Sequence, residues 1–530
     1  MSIGTALLLG FYMMFVSAMV PSPCLLFNGL TTSLWVGLVM GDIPTAVALG
    51  ASLELIYLGA VGASGGVQIQ DEPSAVLVSV PLVMLSGLDL PAAIAVALPI
   101  GLLCAQLNNL QQLAMSIPTH MAERAAQKGD IRGIYIANCV TPYILRIFIR
   151  WLPVSILAYL GGTVAQSVAG NIPAFLTNAL SAVGGVMPAV GFGIIIYTMG
   201  HRYLVPCLLA GFFLVQFTGV SAIGAAMAGG FLAFVYWLVA VRKKGGEKAA
   251  APAAEKADTV KRVLTKKELL KTFWMWIIFV INCESWERKE AVGYVAALAP
   301  SLKKLYKDDK EGLAEALSRN MEFFNTETTF GAVIPGITLA MEEQKALGEP
   351  ITGDAITAVK TGLMGPFAGI GDSIKWGLLY IVLVGLFIPG CVAGSGLAAL
   401  MPPVLFAAIA FAIAWFMFNF GYKSGTNSAV RLLQSGLFAD LIPVLTILGM
   451  FMIGALGATY VKVTTPIAIP TSNLGSFSIQ NTLDSIAPGL LSLGTIFLSF
   501  WITKKFKNFL WTALIMFGIA LVLGLLGIIA

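Results

Sequence analysis

The chain alternates long apolar runs with short polar intervals, and the runs have the length of membrane crossings. A hydrocarbon layer about 30 Å thick takes roughly 20 apolar residues per helical span. Trp376 to Tyr422 passes without a single Asp, Glu, Lys or Arg. The 56 glycines and 25 prolines that punctuate the runs suit close packing, broken helices and re-entrant turns, whose irregular backbone must be shielded by protein or line a cavity. Two intervals break the apolar rhythm. Val241 to Lys271 carries ten Lys or Arg against four acids around an Ala-Pro-Ala centre. It predicts a flexible cytoplasmic linker, residues 242–264, between membrane domains at 1–241 and 265–530. Trp286 to Thr328 mixes charges with Ala296, Leu302, Leu305, Leu313 and Leu317 at helical spacing. This predicts cytoplasmic or interfacial helices within 265–325, ahead of a membrane part at 326–530. Their polar side is either a solvated face or a docking surface for a soluble partner.

Composition supports the same reading. The 530 residues are 58% hydrophobic and 11% charged, with a mean hydropathy of +0.86, against about 25% charged in soluble domains. The expected fold is an all-α polytopic membrane protein: two membrane domains of opposite topology with broken or re-entrant helices. Cations set the orientation. None occurs before Arg124, the linker is basic, and Thr503 to Lys507 is basic ahead of the last apolar run. The N-terminus is therefore expected outside, the linker in the cytoplasm and the C-terminus outside. The first sixteen residues lack the basic start of a cleaved signal peptide and read as a retained span.

Several function classes fall away. The net charge of +5 sits in loops beside apolar segments, so it gives no reason to expect nucleic acid. Six cysteines without a CxxC, and only His120 and His201 for imidazoles, point away from disulfides, metals and His-based nucleophilic catalysis. No catalytic residue and no cofactor is expected. There is no GxxxxGK[ST] loop, and "GIGDS" (Gly369 to Ser373) lacks the spacing and βαβ context of a nucleotide site. Energy for transport must then come from an ion gradient or a partner.

The candidate site residues are polar groups set in apolar surroundings. Asp42 and Glu54 lie in "GLVMGDIPTAVALGASLELIYLG", and intramembrane acids by default suggest a substrate or ion site. Ionised carboxylates are strong acceptors for sugar hydroxyls. Asp42 has the alternative of capping a helix at a loop. "SGGVQIQDEPS" (Ser64 to Ser74), with Asp71, is either the tip of a re-entrant hairpin or an exterior loop, and Pro73 is expected to break any helix there. In the second half, Asn325, Thr326, Glu327, Thr328 and Thr329 crowd the point where the chain enters the membrane, more polar groups than capping needs. Asp372, Ser373 and Lys375 follow a Gly/Pro-interrupted apolar run.

These motifs resemble a known family. "GLVMGDIPTAVALGASLELIYLG" and "HMAERAAQKGD" are similar to the IIC subunit of the mannose/fructose/sorbose family of bacterial phosphotransferase-system permeases. "WERKEAVGY", "LAPSLKKLY", "EFFNTETTFGAVIPGITLAMEEQ", "AVKTGLMGPFAGIGDSIKWG" and "GYKSG" resemble its IID subunit, in order, across most of residues 265–425. The two subunits are usually separate chains, and here the basic linker joins them. The resemblance implies a membrane component that binds an external sugar and carries it inward by an elevator-like domain movement. A soluble IIAB partner, charged through HPr and enzyme I, phosphorylates the sugar as it emerges. It further implies a bacterial inner-membrane location, a homotrimer, and phosphoryl-carrying histidines on IIAB rather than here. Glu54, Asn325, Thr326 and Asp372 carry over as polar contacts or gates. Asp42, Asp71, Glu327 and Ser373 complete the expected substrate-binding set.

Departures accompany the match. Glu284 and Ser285 precede "WER" where the family commonly has Trp-Asn, and Thr328 stands where it has Pro. Tyr380 and Ile381 replace a frequent Arg-Pro, and "PSPC" (Pro21 to Cys24) replaces another. They predict a substrate other than plain mannose, such as an amino sugar or a sugar–amino acid conjugate. The rival reading is an ion-coupled secondary sugar transporter with Asp42, Glu54 and Asp372 as proton or sodium sites.

Overall fold

The computed structural model describes residues 1–17, 27–57, 71–86, 104, 107–108, 110–168, 179, 182–183, 185–199, 204–241, 262–285, 287–434, 437–471, 475–507 and 509–529. The polar turn at 64–70, most of the linker (242–261), the Pro21 to Cys24 departure, Trp286 and His201 lie outside the described residues.

The expected helical architecture with broken helices is present. Three helices are long and apolar enough to cross a membrane: Ile131–Gly161, Gly353–Val392 and Gly396–Lys423. A fourth candidate, Ile479–Ile486 with Leu490–Phe506, bends by 81° at a break. Shorter apolar helices of 10–17 residues, among them Gly29–Met40, Ile43–Tyr57 and Glu72–Ser86, pack around them. A single antiparallel hairpin, Ala468–Thr471 against Gly475–Ser478, is the exception among the described residues.

Local chemistry sets several boundaries. Gly41 closes Gly29–Met40 in the left-handed region at φ 83°, a conformation glycine adopts without a Cβ penalty. Asp42 then accepts from the Thr45 N–H at 3.2 Å and starts the next helix. Pro73 does not break the chain as its sequence context predicts. It lies in the first turn of Glu72–Ser86, where no intrahelical partner awaits its missing N–H.

Packing divides the molecule differently from the linker. One apolar core joins Leu53, Tyr57, Val76 and Val154 of the first half to Val384, Ile388, Ile453 and Ile496 of the second. The other gathers Trp276, Tyr294, Phe324 and Ile337 of the second half around Ala122, Ile134 and Ala137 of the first. The helix Ala291–Leu305 lies inside this second core with Ala291 to Ala299 buried. Its cations, Lys303 and Lys304, are confined to the last turn, so only that end is open to solvent or a partner and the rest packs within the protein. Polar contacts sew the halves together here. Arg288 donates to Glu123 at 2.9 Å, Asn138 to the Phe279 carbonyl at 3.2 Å, and Arg146 to Asn282 Oδ1 at 2.8 Å.

Candidate functional site

Glu54 is fully buried on Ile43–Tyr57, and its partners explain how the fold tolerates it. One carboxylate oxygen accepts from the Gly29 N–H at 2.8 Å; the other accepts the Tyr380 hydroxyl from the second half. Glu72 accepts from the same Gly29 N–H at 2.8 Å. Both acids thus face the N-terminus of Gly29–Met40, where free N–H groups and the helix dipole favour negative charge. A Cβ at position 29 would stand 2.5 Å from a Glu72 oxygen and 3.1 Å from the Gly50 carbonyl, so a side chain there would displace the Glu72 carboxylate from the N–H it accepts.

Asp71 is adjacent and differently satisfied. It pairs with Arg150 at 2.5 Å, both side chains fully buried, and accepts from the Ser74 hydroxyl at 2.8 Å. Its cation therefore comes from the long helix Ile131–Gly161, far along the chain.

A second cluster forms in the other half. Glu327 pairs with Lys375 at 2.7 Å and accepts from the backbone of Thr329 at 2.9 Å and Phe330 at 2.8 Å. A Cβ at residue 371 would sit 2.4 Å from a Glu327 oxygen, so Gly371 is what lets the helix approach. Thr326 is buried, donating its hydroxyl to the Met364 carbonyl at 3.2 Å and its N–H to Glu290 at 3.4 Å. Burial, and secondarily the nearby Glu284 charge, holds the Glu290 carboxyl well above its ordinary value. Asn325 and Asp372 are half-buried, while Ser373 is exposed and donates to the Gly369 carbonyl at 2.8 Å.

One segment joins the clusters. Asp372–Tyr380 is π-helical; its Lys375 holds Glu327, and its Tyr380 holds Glu54. π-helical turns inside α-helices recur at functional sites. Of the sequence candidates, the structure brings Glu54 into one polar group and sets Asp71 beside it through the neighbouring Glu72. It places Thr326 and Glu327 in another, with Asp372 on the joining segment. Asp42 is exposed at the opposite end of the Glu54 helix as a helix cap.

Sequence reasoning missed Arg146, Arg150, Tyr380, Glu72 and Glu290 as partners. A buried Arg on an apolar span was a readable signal for the first two. It also missed two acids of the "AMEEQ" motif. Glu342 receives Arg319 at 3.0 Å and Tyr306 at 2.9 Å; Glu343 accepts the Leu264 N–H at 2.7 Å and Tyr422 at 2.7 Å.

Comparison with known proteins covers both halves. Residues 263–529 match the model of the mannose/fructose/sorbose family IID component of the phosphotransferase system, and residues 3–235 match that of the sorbose-specific IIC component. The mannose-specific EIID component of Escherichia coli is 34% identical over 51% of this chain and 98% of its own length. The fructose permease IIC component of Bacillus subtilis is 31% identical over 42% of this chain and 81% of its own. A cryo-electron microscopy structure of the mannose transporter ManYZ with microcin E492 aligns over 51% of this chain and 100% of the matched one, at 32% identity and a TM-score of 0.31.

Proposed function

Because the chain belongs to the mannose/fructose/sorbose family of phosphotransferase-system permeases, with a IIC component followed by a IID component, we propose that one polypeptide performs both membrane roles. The domain division is 1–241 and 265–530, joined by the basic linker at 242–264. The chain binds an extracellular sugar, carries it inward, and presents it to a separate phosphorylated IIAB protein. It works as a homo-oligomer in the bacterial inner membrane, with its N-terminus and C-terminus outside and its linker in the cytoplasm.

The observation that carries this reading is a polar seam running across both halves. Glu54 of the first half, which shares the Gly29 N–H with Glu72, meets Tyr380 of the second, and Lys375 on the same segment meets Glu327. Acceptors of this kind recognise sugar hydroxyls. Glu54, Asp71, Thr326, Glu327 and Asp372 are the proposed substrate contacts or their supports, with Asn325 and Ser373 at the rim. Asp42 belongs to this set only as a residue of the entry surface. Family membership does not favour the ion-coupled alternative.

The test is uptake of a radiolabelled panel of hexoses, amino sugars and sugar–amino acid conjugates into vesicles holding the full chain, with and without phosphorylated IIAB. Sugar phosphate inside only with phospho-IIAB supports the proposal and identifies the substrate. Free sugar driven by a proton or sodium gradient without IIAB overturns it. Preference for plain mannose over every derivative overturns the modified-sugar expectation alone.

A further inference from the structure

Among the described residues, three helices contribute side chains to both apolar cores, and they are the three long spans. Ile131–Gly161 sends Ile134 and Ala137 into the second core and Val154 and Ala158 into the first. Gly353–Val392 places Ile356, Leu363 and Phe367 in the second and Leu383, Val384 and Ile388 in the first. Gly396–Lys423 has Ala399 and Phe406 in the first and Met417 and Phe418 in the second. The cores are thus two bodies joined by three struts.

Two of the struts turn π-helical at the changeover. Ile147–Trp151 lies between the two arms of the first strut, and Asp372–Tyr380 between those of the second. In the latter, Ile374 still packs on the second core while Trp376 packs on the first. Each segment holds or adjoins one anchor to each body. Arg146, just before the first, binds Asn282, whereas Arg150 within it binds Asp71. Lys375 binds Glu327, whereas Tyr380 binds Glu54.

The glycines of the second strut add an independent sign. Gly369 has nothing within 4 Å of where a Cβ would stand, and at Gly377 the nearest atom is 3.6 Å away. Packing does not demand glycine at either position. What glycine retains there is a backbone that bends more readily than one carrying alanine.

We propose that Ile147–Trp151 and Asp372–Tyr380 are paired hinges about which the two bodies move. The anchors Arg146, Arg150, Lys375 and Tyr380 tie the two arms to their own bodies, so bending concentrates within and just ahead of the two π-helical segments, where Gly369 and Gly377 lie. A π-turn lends itself to this, because its wider hydrogen-bonded ring is the less regular part of an otherwise continuous helix.

The experiment measures motion rather than uptake, so it stands apart from the identity of the sugar. Bioorthogonal spin labels are placed at exposed Thr45, beside the first body, and exposed Lys310, on the second, leaving the native cysteines untouched. Pulsed dipolar spectroscopy of the full chain in liposomes then gives the distance distribution. The expected result is two populations, with Gly369→Ala plus Gly377→Ala depleting the minor one at least fivefold while the major distance stays put. Gly494→Ala, another open glycine on a helix joining no second core, leaves both populations unchanged. A single unshifted population in the unmodified chain overturns the proposal, as does a two-population distribution indifferent to the hinge alanines. Because the added methyl group meets open space at 369 and only an ordinary van der Waals contact at 377, loss of folding is not the expected outcome, and an unchanged major distance verifies that directly.

Discussion

The first half and the second handle buried charge by different means. In the first, Asp71, Glu54 and Glu72 are stranded in a stretch without cations, and their partners come from afar: Arg150, Tyr380 and a helix N-terminus. In the second, the acids sit among cations. Glu342 is closed by Arg319, Tyr306 and Asn320, and Glu327 by Lys375. The lesson is that an acid without a neighbouring cation in the sequence advertises a tertiary junction. Two of these partners, Arg150 and Tyr380, tie the first apolar core to a strut.

That comparison can be broken pair by pair. Lys375→Met leaves Glu327 buried and unpaired, and loss of one partner of a buried pair costs about 3–5 kcal/mol. The expected outcome is a large fall in melting temperature in detergent and loss of uptake. Lys375→Met with Glu327→Gln restores much of the stability but not the uptake; full recovery of both would reduce the pair to packing. Arg150→Met strands Asp71 in the same way, at about 3–5 kcal/mol. Double-mutant cycles over the two pairs compare the halves directly, with equal coupling energies expected.

A smaller effect is expected from Tyr380→Phe, which removes one hydrogen bond to a carboxylate while keeping the ring against Trp376 and Phe406. Bonds to charged groups contribute about 1.5–3 kcal/mol. Stability should fall within that range while uptake falls further, since the bond joins the halves at the proposed site.

The smallest effect concerns Glu290. Its carboxyl is held above its ordinary value by burial, so the folded state keeps a proton that the unfolded state releases. Stability is therefore present in full below the ordinary carboxylate range and declines as pH rises through the folded value. Glu290→Gln should flatten that decline in melting curves taken across pH; an unaltered slope would show that Glu290 is not its source.

Much of the fold was legible beforehand. Apolar runs without charges pointed to the helical, membrane-spanning character; Glu54 stood out as an acid in apolar surroundings, and Glu327 as part of a polar cluster larger than helix capping needs. What sequence could not supply was pairing. Asp42 and Glu54 look alike as acids on one apolar stretch, yet one caps a helix in the open and the other is sealed at its far end. The Ala291–Leu305 helix reads as interfacial because Lys303 and Lys304 sit beside apolar positions, but the neighbouring core swallows all except that turn. Sequence also divides the chain at its linker, whereas packing mixes the halves in both cores.

Cutting the linker shows whether the two halves are held by their shared cores or by the tether. A protease site inserted between Ala250 and Ala254 is cleaved after the protein is purified in mild detergent. If both cores are built from both halves, the two fragments stay together through size exclusion, and vesicles holding the cut protein retain uptake near that of the intact chain. If the fragments separate, or uptake ends with cleavage, the halves depend on their tether and the shared cores do not hold them.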